Sequence, residues 1–278
     1  ASAKSKASEQ ETALKSAKEK VQTLLADYQT HAKQEEEQKQ AYQSQQNQLF
    51  DRLDSLKNKQ AKAQSLENIL KNHSNFYVGV KSVLQEKNRL GGIVGAVSEH
   101  LTFDVRYQTA LEIALGASSQ HIIVEDEQAA TKAIDFLKRN RAGRATFLPL
   151  TTIKARSISS QNQDVIAASP GFLGMADELV TFDAKHEAIF KNLLATTAIF
   201  DTVEHARDAA RKVRYQVRMV TLDGTELRTG GSYAGGANRQ NNSIFIKPEL
   251  EQLQKEIAQE EKLLRQEEEN LKSLQEGL

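Results

Sequence analysis

The stretch from Ile122 to Leu148 reads IIVEDEQAATKAIDFLKRNRAGRATFL, and its pattern decides the fold of the middle of the chain. Three β-branched residues at its start predict a buried strand. The acidic residues that follow are typical of a helix start, and apolar residues then recur at helical spacing up to Arg141. Gly143 ends this helix, and the short run from Ala145 to Leu148 predicts a second strand.

A helix precedes this unit, and the same order of elements returns later in the chain. Phe103-Asp104 opens the first helix, and Phe182-Asp183 opens a similar one. A strand at 198–200, a helix at Val203–Val213 and a strand at 219–222 follow. We therefore predict an α/β (α+β) domain of two pseudo-repeated lobes. The alternative is coincidence, because α/β units share one general pattern.

Long segments without helix breakers flank this domain. The first Gly is Gly79, and after Pro248 no Gly or Pro occurs until Gly277. A seven-residue period predicts helices that supercoil around a partner helix. Apolar residues keep this period in both segments, interrupted only by Glu35, at Leu14, Val21, Tyr28, Tyr42, Leu49, Leu56, Ala63 and Leu70, and at Leu250, Ile257, Leu264, Leu271 and Leu278.

The two flanking segments carry opposite charge. Residues 1–75 contain 12 basic and 10 acidic residues, whereas residues 248–278 contain 4 and 9. This difference favours pairing of the two arms with each other, and arms that leave one domain can meet only antiparallel. Residues 1–44 would then lack a partner within the chain, and we expect them to fray or to pack elsewhere. The alternative is two solvated helices that lie against the domain.

These patterns predict five segments: an N-terminal coiled-coil arm, a first lobe, a linker, a second lobe and a C-terminal arm, at 1–75, 76–150, 151–164, 165–247 and 248–278. The chain has no Cys, which excludes disulfides and Cys-based zinc sites. It has no run of about 18 apolar residues that would predict a membrane span. It begins with Ala1, and we interpret it as a fragment of a longer protein.

The glycine motif, residues 229–238, reads TGGSYAGGAN and is the most distinctive short motif of the chain. A phosphate-binding loop is disfavoured, because the motif lacks Gly-Lys-Ser/Thr and no helix follows at once. An edge strand that another backbone approaches closely would need glycine for lack of a side chain. A flexible loop explains the composition equally well, so these two interpretations remain open.

Basic residues cluster at the ends of the second helix of each lobe, namely Lys138, Arg139, Arg141 and Arg144, and Arg207, Arg211, Lys212, Arg214 and Arg218. Cations at a helix C-terminus are favoured by the helix dipole, and they also bind phosphate, so both explanations stand. His186 and His205 lie on polar helical stretches and are expected on the surface. No catalytic constellation or metal-binding spacing occurs, so we expect no enzymatic activity, metal or cofactor.

Several stretches are similar to the hinge of the SMC proteins, the chromosome-organising ATPases of the condensin and cohesin type. The bacterial SMC hinge is the most similar. The stretches that carry this resemblance are Gly143–Leu150 (GRATFLPL), Phe172-Leu173-Gly174, Glu178-Leu179-Val180, and the glycine motif with its pairs Gly230-Gly231 and Gly235-Gly236.

The resemblance implies a homodimerisation hinge that joins two coiled-coil arms through two equivalent interfaces. Those interfaces would contain Gly230, Gly231, Tyr233, Gly235 and Gly236. It also implies DNA contact at Lys138 and Arg139, which match a basic patch of the family, and charge alone adds Arg141 and Arg144. Residues 76–247 have 21 basic and 18 acidic residues, so DNA binding should be modest and salt-sensitive.

The resemblance further implies a cytoplasmic, nucleoid-associated chromosome condensation and segregation protein without membrane partners. ATP and kleisin-type partners would bind its ABC-type head domains, which these 278 residues do not contain. A related architecture with a Cys-based zinc hook is excluded by the lack of Cys. A ligand- or nucleotide-binding α/β module on a coiled-coil stalk is the alternative, and an inert domain on a mechanical spacer is a third possibility.

Overall fold

The computed structural model describes residues 1–237 and 244–277. Its helices and strands follow in the order α1 (Ser2–Asn72), α2 (Val78–Gln85), α3 (Lys87–Leu90), β1 (Ile93–Ala96), β2 (Thr102–Phe103), α4 (Gln108–Leu115), β3 (Ile122–Val124), α5 (Glu127–Arg139), β4 (Phe147–Pro149), α6 (Ser160–Ala167), β5 (Phe172–Met175), β6 (Val180–Thr181), α7 (Glu187–Leu194), β7 (Thr197–Phe200), α8 (Val203–Lys212), β8 (Arg218–Thr221), β9 (Glu226–Leu227), β10 (Tyr233–Ala234) and α9 (Ile246–Glu276).

Helices α1 and α9 pair in one compact unit, formed by residues 1–62 and the chain from 253 onward. Leu49 and Leu56 of α1 and Leu253 of α9 are buried. Leu49 and Leu56 belong to the seven-residue column of the first arm, and Leu253 lies three residues after Leu250, in the companion column Leu253, Glu260, Glu267 and Leu274 of the second arm. The period in the sequence therefore marks the buried seam of a coiled coil.

Charged residues occupy the companion positions of this seam. Arg52 Nε donates to Glu267 Oε1 at 2.8 Å, and Lys59 Nζ donates to Glu260 Oε1 at 2.7 Å. From Arg52 to Lys59 the residue number rises along α1, while that of the partner falls from Glu267 to Glu260 along α9. The two helices therefore run antiparallel. The predicted intramolecular antiparallel coiled coil is therefore confirmed.

Residues 1–44 were expected to fray or to pack elsewhere, and fraying is wrong, because α1 begins at Ser2. Packing against another molecule stays a prediction. The segment lacks Gly and Pro and is rich in residues with high helix propensity. Every residue from 1 to 41 is nevertheless exposed, and Tyr28 of the apolar column is 72% exposed.

The rest of the chain forms a second compact unit, Ala63–Gln252, with two lobes of the same design. In lobe 1 the strand order is β1-β3-β4, with β3 and β4 parallel and β1 antiparallel to β3. In lobe 2 the order β5-β7-β8 has the same directions, and β9 and β10 extend the sheet. The predicted repeat is confirmed, and it also includes β1 and β5, which the sequence pattern did not reveal.

The predicted capping residues position the helices of both lobes. Asp126 accepts a hydrogen bond from the Ala129 N–H at 2.8 Å at the start of α5, and Thr202 does the same for His205 at 3.3 Å in α8. Such bonds satisfy N–H groups that have no partner within the helix.

Helix α6 occupies part of the segment predicted as a linker. Ser159 caps it by accepting from the Asn162 N–H at 3.2 Å, and Ile166 is only 1% exposed in the core of lobe 2. One buried isoleucine among polar residues is too little for a periodic pattern, so the sequence did not indicate this helix.

Three hydrophobic clusters fill the lobes, and one of them belongs to both. Ile122 and Val124 pack in the lobe 1 cluster under α5, and Ala198 and Phe200 pack in the lobe 2 cluster under α8. The intervening residues point the other way, so that Ile123 and Ile199 enter a shared cluster that includes residues of α4 and α7. Burial of each large side chain contributes about 1.5–3 kcal/mol, so the shared cluster holds the lobes together.

Polar contacts also join the lobes. Strand β2 of lobe 1 pairs with β6 of lobe 2 through Thr102↔Thr181 and Phe103↔Val180. Arg218 of β8 reaches the C-terminus of α4, where it donates to the Ala114 carbonyl at 2.7 Å and the Ile113 carbonyl at 2.9 Å. The same guanidinium donates to Glu226 at 3.2 Å, so one side chain connects two lobes.

Replacing Arg218 with Met should lower the free energy of unfolding by about 2–3 kcal/mol, because two α4 carbonyls and Glu226 lose a charged donor. Arg228→Met is the matched control, since Arg228 donates to the same carboxylate from a side chain that is 55% exposed. We expect it to cost less than about 1 kcal/mol. Chemical denaturation followed by near-ultraviolet circular dichroism measures both, and equal costs would contradict the bridging role.

The loss of unfolding free energy in Arg218→Met should depend on pH. Burial opposes the charge on Glu226, but hydrogen bonds from Arg228 and Arg218 hold the pKa of this carboxyl below its usual value of 4.5. A carboxyl with a lowered pKa stabilises the fold above its unfolded pKa and loses this effect as the pH falls through the folded pKa. The cost of Arg218→Met should therefore be constant near neutral pH and should shrink below pH 4.5.

Candidate functional site

The glycine motif builds the exposed edge of the five-stranded sheet. Strand β10 pairs with β9 through Tyr233↔Leu227 and Ala234↔Glu226, and it lies at the end of the strand order. Asn238, the last residue of the motif, lies outside the described residues. The sequence left open whether the motif is an edge strand or a flexible loop. Residues 233–234 form an edge strand.

The first glycine pair forms the turn between β9 and β10. Gly230 N donates to the Tyr215 carbonyl at 3.0 Å, and Gly231 N donates to the Arg228 carbonyl at 3.0 Å. Their φ angles are +93° and +103°, a backbone conformation that favours glycine. A Cβ added at either position would meet nothing within 4 Å, so these glycines leave a bare backbone next to open space.

The second glycine pair follows β10. A Cβ at Gly235 would lie 3.4 Å from Thr225 Oγ1, which is ordinary contact, and a Cβ at Gly236 would meet nothing within 4 Å. Packing within the described part of the chain therefore does not require the absence of side chains here, whereas the φ of +133° at Gly236 is a backbone conformation that favours glycine.

Tyr233 is the large side chain of this edge and is 47% exposed. Its hydroxyl lies 2.7 Å from that of Tyr215, and the two ring centroids are 6.2 Å apart. Because Tyr215 also accepts the Gly230 hydrogen bond, the turn and the edge strand are tied to the end of α8.

The sheet of lobe 1 has the end strands β1 and β4. Strand β4, at the end of the order β1-β3-β4, is Phe147–Pro149 and pairs with β3. It is formed by the GRATFLPL stretch, and Pro149 has no N–H to offer at this edge. Three of the four stretches that resemble the family therefore contribute end strands: GRATFLPL forms β4, Phe172-Leu173-Gly174 lies in β5, and the glycine motif contains β10. Strands this short have no period from which the sequence could predict their place in a sheet.

The predicted DNA-contact residues of lobe 1 form one exposed group at the end of α5. Lys138, Arg139, Arg141 and Arg144 are all exposed, and the helix dipole favours cations here. The following loop passes close to α2, because a Cβ at Gly79 would lie 2.2 Å from the Arg144 carbonyl oxygen, so only glycine fits here. The start of α2 is therefore a neighbour of this basic group that the sequence did not predict. Tyr77, just before α2, is 67% exposed.

The second predicted basic cluster is not a single group. Arg218 is separate from it, because its guanidinium is directed at α4 and Glu226 as described above. Arg211, Lys212 and Arg214 are exposed at the end of α8, and Arg207 is half-buried.

The histidines differ in part from the prediction. His186 is buried rather than at the surface, since only 8% of it is exposed, and its ring meets His100 edge-on at 5.4 Å. Burial, then the neighbouring His186, lowers the pKa of His100, whose Nε2 lies 3.2 Å from the Val94 carbonyl. His205 is half-buried and pairs with Asp201 at 2.7 Å.

A shallow depression of about 400 Å³ adjoins the glycine motif. Its charged lining consists of Glu112, Asp223, Glu226 and Arg228. The excess of carboxylates is unfavourable for a phosphate group. Within residues 1–237 and 244–277, no group of three His, Asp or Glu residues could hold a metal ion. In the same residues no helix is long and apolar enough to cross a membrane.

Residues 90–210 match the family described as SMC proteins Flexible Hinge Domain. The chain is 42% identical over 225 residues to Chromosome partition protein Smc of Bacillus subtilis (strain 168). The matched segment covers 80% of this chain and 19% of that protein. The protein of the same name from Lactiplantibacillus plantarum is 37% identical over 205 residues, 74% of this chain and 17% of that protein. The chain spans about a fifth of the length of these curated relatives.

A solved structure is similar over nearly its whole length. It is an asymmetric dimer of the Geobacillus stearothermophilus SMC hinge domain, 35% identical to this chain with a TM-score of 0.81. The superposition covers 86% of this chain and 96% of that chain, so it includes both lobes and part of the coiled coil.

Proposed function

The chain belongs to the bacterial SMC hinge family, with its flanking coiled coil, and we propose that it joins two long arms by pairing with a second copy of itself. The observation that carries this proposal is the outer edge of β10, which has no neighbouring strand within residues 1–237 and 244–277 and is flanked by side-chain-free glycines. An exposed strand edge presents unpaired N–H and C=O groups that can pair with another chain.

Two of the four end strands suggest how the copies meet. Strand β10 is one end of the lobe 2 sheet and β4 is one end of the lobe 1 sheet, whose other ends are β5 and β1. We propose the first two for the contact because they contain the glycine motif and the GRATFLPL stretch. If β10 of one copy meets β4 of its partner, two-fold symmetry makes β10 of the partner meet β4 of the first copy. Two equivalent contacts would then form, each with one bare glycine edge.

Tyr233 and the glycine turn favour a rigid contact. Two hydrogen bonds of 3.0 Å hold Gly230 and Gly231, and the Tyr215–Tyr233 pair fixes the adjoining strand. A preorganised edge loses little conformational freedom when it pairs, which favours association. The similar Geobacillus stearothermophilus hinge is a dimer according to its description, which supports the proposal.

The exposed cations at the end of α5 support a contact with DNA. Lys138, Arg139, Arg141 and Arg144 form no ion pair with an acidic residue in the described part of the chain. Their charge is therefore available for phosphate groups, and the backbone of Arg144 lies close to Gly79 of α2. Such contacts bind without base specificity and weaken as salt rises.

We propose that the longer protein partitions chromosomes, as the names of its relatives say. It would act with the chromosome in the cytoplasm, and the ATPase heads with their kleisin-type partners would lie outside residues 1–278. We propose no catalytic role or cofactor for this segment. The nucleotide-binding alternative is disfavoured by the three carboxylates beside the glycine motif.

Leucine at both Gly235 and Gly236 should weaken the dimer, because side chains would occupy the space that a partner backbone needs. Light scattering across a dilution series should give a mass near twice 30.9 kDa for the wild type. The double variant should fall toward the monomer, with Kd raised at least about tenfold, or about 1.4 kcal/mol.

Gly91→Leu is the matched control, because Gly91 also has a positive φ, +73°, and no neighbour within 4 Å, but lies in lobe 1. It should remain dimeric, and circular dichroism should show that all variants keep their helices. A wild type that is monomeric at every concentration, or a double variant with unchanged mass, would disprove the proposed interface.

Glutamate at Lys138 and Arg139 should reduce DNA binding on the order of tenfold at low salt, since two phosphate contacts are lost. The slope of log K against log salt should become shallower by about 2. Fluorescence anisotropy with a labelled oligonucleotide measures both quantities.

Lys132→Glu with Lys185→Glu provides the matched control, because both lysines are exposed and the net charge changes equally. Equal losses in the two double variants would show that only the overall charge matters. Unchanged binding in the Lys138 and Arg139 variant would remove the assignment.

A further inference from the structure

Two histidines from different lobes meet where β2 and β6 join the lobes. His100 lies just before β2, and its ring meets that of His186 edge-on, with 5.4 Å between the centroids and 89° between the planes. His186 is buried, and its Nδ1 has no hydrogen-bond partner in the part of the chain that the structure describes. Two rings that can each take up a proton are therefore in contact at the junction of the lobes.

The two segments that contain these histidines are repeats of each other. Residues 95–107 read GAVSEHLTFDVRY, and residues 174–186 read GMADELVTFDAKH. Aligned without gaps, the segments share a glycine, a glutamate and the triplet Thr-Phe-Asp at the same places. Thr102 and Thr181 occupy equivalent places, and they pair with each other in the β2–β6 ladder. An approximate two-fold axis therefore runs between these two threonines.

The side chains on the two sides of this axis differ in chemistry. In the alignment His100 corresponds to Leu179, and His186 corresponds to Tyr107. His100 and Leu179 each lie against the glycine five residues before them, 2.4 Å and 3.1 Å from where its Cβ would be. Leu179 and Tyr107 both pack against the shared hydrophobic cluster. The fold therefore accepts a leucine and a tyrosine at the places that the two histidines occupy on the other side.

The surroundings of His100 disfavour its protonated form. Burial and then the neighbouring His186 lower the pKa of His100 below its usual value of 6.5. The Val94 carbonyl and Glu99 oppose this effect, and Lys87 adds to it. A histidine whose pKa is lowered by folding stabilises the fold above its unfolded pKa, and this contribution is lost as the pH falls toward the folded pKa. The contact therefore favours a neutral ring and weakens below about pH 6.5.

The charged groups near the pair balance each other. Asp183 is near both histidines, and its pKa is held low, against burial, first by the Lys185 N–H and then by the charges of Lys185 and both rings. A depression of about 260 Å³ beside His100 adds charges of both signs. The groups around the pair are three acidic and three basic residues, namely Glu99, Asp183 and Glu251, and Lys87, Lys185 and Lys247. Among the described residues, these charges offer no net attraction for two protons on adjoining rings, which repel each other.

We propose that the His100–His186 contact is a pH-sensitive switch between the lobes, closed when both rings are neutral and open when they are protonated. The adjoining β2–β6 ladder has only two residue pairs, so it should loosen when the rings separate. The shared hydrophobic cluster would still hold the lobes together, which makes the response local. The switch acts within one copy of the chain and depends neither on the proposed pairing of two copies nor on DNA.

The test replaces both histidines with the residues at the equivalent places, as His100→Leu with His186→Tyr. Hydrogen exchange of the 278-residue chain, corrected for intrinsic rates, gives amide protection at about pH 7.5 and about pH 5. In the wild type, acid should lower the protection of β2 and β6 on the order of tenfold more than that of β3 and β7. In the double variant β2 and β6 should lose no more protection than β3 and β7.

His121→Leu is the matched control, because burial also lowers the pKa of this half-buried histidine of lobe 1 but no described ring adjoins it. The control should keep the acid loss at β2 and β6. Between the two pH values the Tm of the wild type should fall by about 2–4 °C more than that of the double variant. Equal losses of protection in the wild type and the double variant would overturn the proposal.

Titration of the histidine signals by NMR gives a measurement that the wild type alone can fail. His100 should titrate below 6.5, and its pKa should rise in His186→Tyr, because the neighbouring charge is removed. This single variant also serves if the double variant does not fold. A wild-type His100 that titrates at or above 6.5, or one whose titration is the same in His186→Tyr, would equally overturn the proposal.

Discussion

The two lobes share one buried hydrophobic cluster, and the positions of the end strands β4 and β10 depend on it. Ile123 of β3 and Ile199 of β7 enter this cluster, while their neighbours along each strand pack under the helices of their own lobe. Each sheet is therefore covered on both faces. Because interiors are packed as densely as crystals, neither sheet can turn without opening a core, and β4 and β10 stay where the clusters place them.

Much of the fold could be predicted from the sequence, because its signals are local or periodic. Asp126 and Thr202 cap their helices as predicted, and the seven-residue columns mark the seam of the arms. The contacts that join the lobes could not be predicted. Strands β2 and β6 have two residues each, too few for a period, and the partners of Arg218 on α4 are more than 100 positions away in the sequence.

The candidate site was accessible to sequence reasoning only in part. Glycine permits a turn, a loop or a bare strand edge, so TGGSYAGGAN alone could not distinguish them. Only the pairing of Tyr233 with Leu227 shows where the motif lies in the sheet. The cations at helix ends were visible, but whether each one has a partner depends on the fold. Arg218 is engaged and Arg207 is not, although the sequence presents both in one basic cluster.

The ion pairs in the arms have a mechanical consequence. Arg52 faces Glu267 and Lys59 faces Glu260, and a slip of one helix by seven residues in either direction would set one cation opposite a leucine, Leu253 or Leu274. A polar residue in such a seam specifies the register. Shear between the two helices must break both pairs before the leucines can meet new neighbours. Sliding of the arms is therefore expected to occur in discrete steps, while gentle bending leaves every pair intact.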